Sequence, residues 1–216
     1  MSSIPYFEQR KQVADIMTRL YNNRLTTTSG GNISTRIDDK CFAITPSSLD
    51  KGNLRPELIA IVTMEGENLT PELKLSIEGE MHRLILLENP NVNAVVHAHP
   101  TFGTLFSCAE MSVDTSLIGE SWIMLGRPAV SRYFKMGTPE LARDVADCAR
   151  DHKIVLLKNH GVLATGRDLI NAFDNMEVFE NAAKMTLFAT LMRGAGAEVN
   201  PLTREAMLEL RPDITD

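Results

Sequence analysis

Val95-Val96-His97-Ala98-His99-Pro100 is the stretch on which the reading of this chain turns. Residues 94–98 form a β run, and a strand sends residues i and i+2 to the same face. Two imidazoles at the end of one strand therefore converge from a rigid backbone. A third candidate, His160, follows the β run Ile154-Val155-Leu156-Leu157 in Lys158-Asn159-His160-Gly161. Two strand ends carrying three imidazoles have the donor set of a catalytic metal site with an open position. The same residues also fit packed histidines or turn caps.

Outward from this centre, further β runs are expected at Ile33–Arg36, Cys41–Ile44, Ile59–Met64 and Val162–Thr165. Residues 125–130 fit either strand or helix. Helical spacing covers Phe7–Asn22, Ser76–Glu88, a short piece at Thr101–Ala109, and a helix opened by Thr138-Pro139 and running to about Asp151. Apolar residues at three- and four-residue intervals from Leu169 to Leu191 predict a long helix from Asp168 to about Met192. Strands and helices do not alternate regularly, so a doubly wound nucleotide fold fits poorly. The expectation is α/β: one domain over 1–216 with a central mixed, largely antiparallel sheet flanked by helices.

Bulk properties narrow the function classes. The chain has 216 residues, 44% of them hydrophobic and 23% charged, as in an ordinary globular protein. A net charge of −6 argues against nucleic acid, which needs a basic stripe. No stretch is long enough to span a bilayer, so no membrane partner is expected. Met1-Ser2-Ser3-Ile4-Pro5-Tyr6 lacks the basic start and apolar run of a secretory signal. The cysteines Cys41, Cys108 and Cys148 fit neither a disulfide framework nor a metal motif and read as free, largely buried thiols. A cytoplasmic protein is expected.

Three further places can carry chemistry. Thr26-Thr27-Thr28-Ser29-Gly30-Gly31-Asn32 joins hydroxyls to adjacent glycines, which suits either an anion or a plain polar turn. Thr45-Pro46-Ser47-Ser48 has the same two readings. Ser76 is placed to cap the following helix, with Glu78 in its first turn, where the helix dipole alone stabilises a carboxylate. Beside three histidines, Glu78 also suits a general base. His82, one turn on, is expected on the helix surface or behind the ligands, and His152 is expected to be exposed. Arg127, Arg132, Tyr133 and Lys135 are candidates for anion or hydroxyl recognition, or ordinary surface residues. Glu180 is accounted for by a salt bridge to Lys184.

Taken in order, Ser29-Gly30-Gly31-Asn32-Ile33-Ser34, Ile44-Thr45-Pro46-Ser47, Lys74-Leu75-Ser76-Ile77-Glu78, His97-Ala98-His99 and Asn159-His160-Gly161 resemble the class II aldolase and adducin head-domain family, and within it most of all the L-fuculose-phosphate aldolase branch. The likeness runs from about residue 8 to about residue 200. It implies Zn2+, or another divalent metal such as Mn2+ or Co2+, on His97, His99 and His160. It further implies Glu78 as the acid/base residue and a phosphate pocket of Gly31, Asn32, Ser47, Ser48 and Ser76. The implied reaction is aldol cleavage of a small-molecule ketose 1-phosphate to dihydroxyacetone phosphate and a short aldehyde such as lactaldehyde, in a homotetramer with sites at subunit junctions.

Two departures bear on the substrate. Ile77 stands where the fuculose enzymes commonly carry a second serine, and no tyrosine follows Tyr133 to handle the aldehyde. Family relatives decarboxylate a keto-acid phosphate, epimerise ribulose phosphate or dehydrate methylthioribulose phosphate through the same kind of enediolate. The metal-free adducin-like alternative is opposed by retention of all three histidines and Glu78.

Overall fold

The computed structural model describes residues 4–213. Residues 1–3, part of the stretch read above for a leader, and residues 214–216 lie outside the described residues. Seven strands build one sheet: β1 (Asn32–Arg36), β2 (Cys41–Ile44), β3 (Ala60–Thr63), β4 (Ala94–Ala98), β5 (Ala129–Ser131), β6 (Ile154–Leu157) and β7 (Gly161–Gly166). Their spatial order is β3-β2-β1-β4-β7-β6-β5. Every pairing is antiparallel except β5 with β6. The expected mixed, mostly antiparallel α/β domain is what forms.

Period-two alternation divides the apolar residues between two layers. Ile33, Ala43, Ile61, Val96, Ala98, Leu156, Val162 and Ala164 share one buried cluster with residues of α1 (Phe7–Asn22), α3 (Thr101–Ser107) and α6 (Leu169–Gly194). Phe42, Ile44, Val62, Val95, Val155, Leu157 and Leu163 share the other with α2 (Gly79–Glu88) and α5 (Pro139–Cys148). Both faces of the sheet are covered, and α6 contributes the fully buried Ala172, Phe173, Met176, Phe179 and Ala183 at helical spacing. By the same alternation Asn32, Ser34 and His97 face the α2 layer, opposite in sense to Ile33 and Val96.

Several expectations change. α4 (Gly119–Leu125) forms where no helix was read, and residues 129–131 become the edge strand β5. Seven residues are too few to show a period. α4 is instead held from outside: the Trp122 indole N–H donates to the Met207 carbonyl, and Arg211 Nη1 donates to that of Ile123. Those partners lie in and just after α7 (Arg204–Leu210), which also had no sequence signal. α5 ends at Cys148 because a turn closes the segment, and α3 ends at Ser107. Of the cysteines only Cys41 is buried, whereas Cys108 is exposed and Cys148 half-buried. His152 is half-buried, with Nδ1 2.8 Å from the Arg127 carbonyl oxygen.

Glu180 does not serve mainly as a partner for Lys184. Its carboxylate accepts from the backbone N–H groups of Phe102 (2.9 Å) and Gly103 (2.7 Å), tying α6 to the start of α3. Among the described residues no helix is long and apolar enough to cross a membrane.

The N-cap of α6 gives a direct test of this packing. Asp168 accepts from the Asn171 N–H at 2.7 Å. Asp168→Ala should cost about 1 kcal/mol and lower the thermal midpoint by about 2–4 °C, read by circular dichroism. An unchanged midpoint would mean the cap contributes nothing to the long helix.

Candidate metal centre

β4 and the β6–β7 hairpin bring the three histidines together. His97 lies on β4, opposite Leu163 of β7, and His99 follows the strand end. His160 sits in the hairpin turn, where Asn159 adopts a left-handed conformation (φ 56°) and Leu157 pairs with Gly161. One nitrogen from each ring lies within 4.8 Å of the others, and the ring centroids are 4.8–5.2 Å apart. His97 Nδ1 is 3.0 Å from the Val162 carbonyl oxygen, so it carries the proton and leaves Nε2 with a free lone pair.

Glu78 faces this group. Its Oε2 is 3.5 Å from His97 Nε2, and its Oε1 is 3.3 Å from His160 Nε2. Glu78 Oε1, His97 Nε2, His99 Nε2 and His160 Nδ1 are buried without a hydrogen-bond partner. Buried polar atoms are nearly always paired, so a convergence of orphans calls for an explanation. A divalent cation resolves it: imidazole nitrogens with a nearby carboxylate are a donor set for such ions, and the residues fit.

Electrostatics agree with that assignment. Burial pushes the His99 and His160 imidazoles down to about 4, with His97 adding in the same direction. Both rings are therefore neutral near pH 7, the form that binds metal. Burial alone would raise the Glu78 carboxyl, but His97, the Asn32 amide, His160 and His82 outweigh it and hold the group below the usual carboxylate range. Glu78 is thus an anion aimed at the histidine group.

The local fold differs from the sequence reading around Ser76. The helix begins at Gly79, and Glu78 occupies the cap position without any side-chain cap bond. Ser76 Oγ is engaged elsewhere, accepting from Asn32 Nδ2 (3.1 Å) and the Glu78 N–H (3.3 Å). Asn32 Nδ2 also donates to Glu78 Oε2 at 2.8 Å. Glu78 is therefore held beside the histidines by a residue of β1.

The five residues named for a phosphate pocket meet only in part. Asn32 and Ser76 touch, and Gly31 (φ 67°) packs on the strand that carries His97. The Ser47 N–H donates to the Lys74 carbonyl at 2.9 Å, bringing its turn beside the 74–76 segment, and Ser48 is left-handed at φ 60°. Both amide hydrogens of Asn32 are taken by Glu78 and Ser76. Arg132 is engaged with Asp144 at 2.6 Å, and Tyr133 is largely exposed.

Three contributors had no assigned role in the sequence. Lys51 is fully buried and donates from Nζ to the Pro46 carbonyl at 2.8 Å, anchoring the Ser47-Ser48 turn; burial lowers its ammonium to about 8. Gly30 and Gly161 are pressed against the ligands. A Cβ on Gly30 would stand 2.9 Å from His99 Nδ1, and one on Gly161 would stand 2.5 Å from His99 Cδ2. His82 is buried behind the site rather than on the helix surface. Adjacent histidine and glycine in Asn159-His160-Gly161 was the one visible hint of such close approach.

Comparison with known proteins places these features in a family context. Residues 11–187 match the model of the Class II Aldolase and Adducin N-terminal domain. A 3-oxo-tetronate 4-phosphate decarboxylase of Haemophilus influenzae is 33% identical over 207 residues, covering 94% of this chain and 95% of that protein. An L-fuculose phosphate aldolase of Methanocaldococcus jannaschii is 32% identical over 184 residues, covering 85% and 98%. The solved structure of an L-fuculose 1-phosphate aldolase superposes with a TM-score of 0.86 at 28% identity, covering 98% of both chains.

His97→Ala should lower both bound divalent metal, measured by elemental analysis, and activity. Full metal content in that variant would refute the ligand set. Gly161→Ala leaves every ligand in place but drives a methyl into His99, so metal retention should fall about 10–100-fold, the range for disturbing a ligand's support. Retention equal to the parent protein would show that the close approach is unimportant.

Proposed function

The chain belongs to the class II aldolase and adducin N-terminal domain family, and from that membership we propose that it is a metal-dependent lyase that breaks the carbon–carbon bond one carbon removed from the ketone of a small sugar phosphate. The observation that carries the proposal is the buried Glu78 carboxylate against His97 and His160, in a group of three histidines that each keep one buried ring nitrogen unpartnered. A cation held by His97, His99 and His160, zinc in the first instance, supplies Lewis-acid polarisation of the substrate carbonyl and hydroxyl oxygens.

The chain's own residues account for the remainder. In the aldol reading, a ketose 1-phosphate resembling L-fuculose 1-phosphate loses its C3–C4 bond. The electron pair stays on C3 as an enediolate, and the C4 fragment departs as lactaldehyde or a similar aldehyde. The C4 hydroxyl proton leaves to solvent as the aldehyde forms; Glu78 takes up a proton from solvent and delivers it to C3, giving dihydroxyacetone phosphate, and removes it in reverse. Gly31, Ser47, Ser48 and Ser76 would receive the phosphate, with Asn32 beside them holding Ser76 through its amide. Ile77 stands 61% exposed next to Ser76 and offers only its backbone there.

A second reading is favoured by two observations. A decarboxylase is among the relatives that align over nearly their whole length. The chain also has no tyrosine after Tyr133, and decarboxylation needs no proton handling at an aldehyde oxygen. Loss of CO2 from 3-oxo-tetronate 4-phosphate breaks C1–C2 and leaves the same enediolate, which Glu78 would again convert to dihydroxyacetone phosphate. The two reactions differ in the departing fragment and share the proton transfer. Family likeness also carries the expectation of a homotetramer with sites at subunit junctions, which sizing by light scattering checks.

The decisive assay offers zinc-loaded protein a panel of ketose 1-phosphates, including the L-fuculose and L-rhamnulose forms, together with 3-oxo-tetronate 4-phosphate. Dihydroxyacetone phosphate released from the ketoses, abolished by chelator and restored by zinc, supports the aldolase. Release accompanied by CO2 from the acid supports the decarboxylase. Product from neither, with metal bound, overturns the proposal. Glu78→Gln should keep the metal and reduce turnover about 10²–10⁴-fold, the usual contribution of a general acid/base; full turnover would remove Glu78 from that role.

A further inference from the structure

His82 takes no part in the reaction as described, yet it is fully buried and both of its ring nitrogens are engaged. Nδ1 lies 2.7 Å from Ser34 Oγ, and Nε2 lies 2.5 Å from Asn32 Oδ1. Asn32 in turn donates from Nδ2 to Glu78 Oε2 at 2.8 Å. Four side chains from β1, α2 and the turn before it thus form one unbroken line ending on the carboxylate.

The direction of every bond in the line follows from elementary chemistry. An ionised carboxylate only accepts, so Asn32 must point its NH2 group at Glu78. Its Oδ1 then faces His82, and an amide oxygen also only accepts, so His82 Nε2 must carry the hydrogen. In a neutral ring Nδ1 is then a lone pair, and Ser34 Oγ–H donates to it. One arrangement of protons satisfies all four groups. If the Asn32 amide flipped, its oxygen would meet the carboxylate, a repulsive contact that no His82 tautomer relieves.

We propose that His82 is a positioning residue that latches the Asn32 amide and, through it, fixes the orientation of the Glu78 carboxylate. Glu78 needs such a hold. It sits at the cap position of α2 without a cap bond, and among the described residues Asn32 is the hydrogen-bond donor to its side chain. Removing His82 leaves the amide free to rotate and the carboxylate free to swing out of line with the reacting carbon. The three histidine ligands are untouched, so the loss should fall on kcat with metal content unchanged.

The inference rests on the reading of Glu78 as the proton-transfer group, and the test separates the two. The first measurement needs no variant and no activity: ring nitrogen NMR of the zinc-loaded protein reports the His82 tautomer. An Nε2–H tautomer supports the latch; an Nδ1–H tautomer overturns it. The second measures exchange of the hydroxymethyl hydrogens of dihydroxyacetone phosphate with D2O, the half-reaction common to both proposed activities. His82→Leu should lower the exchange kcat about 10–100-fold with metal content unchanged. His82→Gln can donate to Asn32 and accept from Ser34, and should recover most of that loss.

A folded, metal-loaded His82→Leu protein with parental kcat overturns the proposal, as does a His82→Gln protein impaired equally. If His82→Leu does not fold, the His82→Gln protein and the tautomer decide. Absence of exchange in the parent protein would refute the functional reading of Glu78, leaving the tautomer alone to settle whether the latch exists.

Discussion

Antiparallel pairing of β1, β4 and β7 sets Asn32 opposite His97 and Ala98 opposite Val162, and the site is a consequence of that register. Because side chains alternate with period two, a slip of one residue in β4 would turn His97 into the layer occupied by α6 and bring Val96 to the α2 side. The slip is opposed by burial on both faces. Val95 and Leu163 belong to one apolar cluster, and Val96, Val162 and Ala164 to the other. Moving the strand would force imidazole into one layer and break the packing of both. The apolar layers hold the register, and the register places the ligands.

Within that frame the centre is a region of unbalanced polarity. Glu78 and the three histidines each keep one buried polar atom without a partner, while the neutral His99 and His160 rings lie near one carboxylate. Such an arrangement is costly for the empty protein and favourable once a divalent cation is seated. It also explains the tight backbone around it. Gly30 and Gly161 have no room for a methyl group, and Gly31 turns through a left-handed conformation beside the His97 carbonyl. Close approach of backbone to ligand rings keeps the imidazoles from relaxing toward protein partners of their own.

Much of this was legible in the chain. α1 and the strands Cys41–Ile44, Ala94–Ala98 and Ile154–Leu157 fall where their apolar patterns put them, and the His-Ala-His spacing announces a shared face. The short helices α4 and α7 were not legible. α4 has only two turns, and its stability comes from Trp122 and Arg211 reaching across to and from the C-terminal segment, which no local pattern contains. The helix start at Ser76 was misplaced for a related reason: the serine hydroxyl that suits a cap is instead bound by Asn32, 44 residues away in sequence. Glu180 likewise passes over its helical neighbour for backbone donors on α3.

By itself the sequence determined the residue types and the periodicities, and hence most strands and helices of the sheet and its layers, because these depend on local spacing and on the sign of the hydrophobic effect; the three histidines were singled out as ligands by the family resemblance. Only the tertiary structure decided which polar atoms face one another. His82 as a buried link, Asn32 as the donor that holds Glu78 beside the imidazoles, and Lys51 as the anchor of the Ser47-Ser48 turn all depend on groups brought together by the folded sheet. Hydrogen bonds are directional and short-ranged, so their pairing is fixed by distances and angles that one-dimensional spacing does not contain.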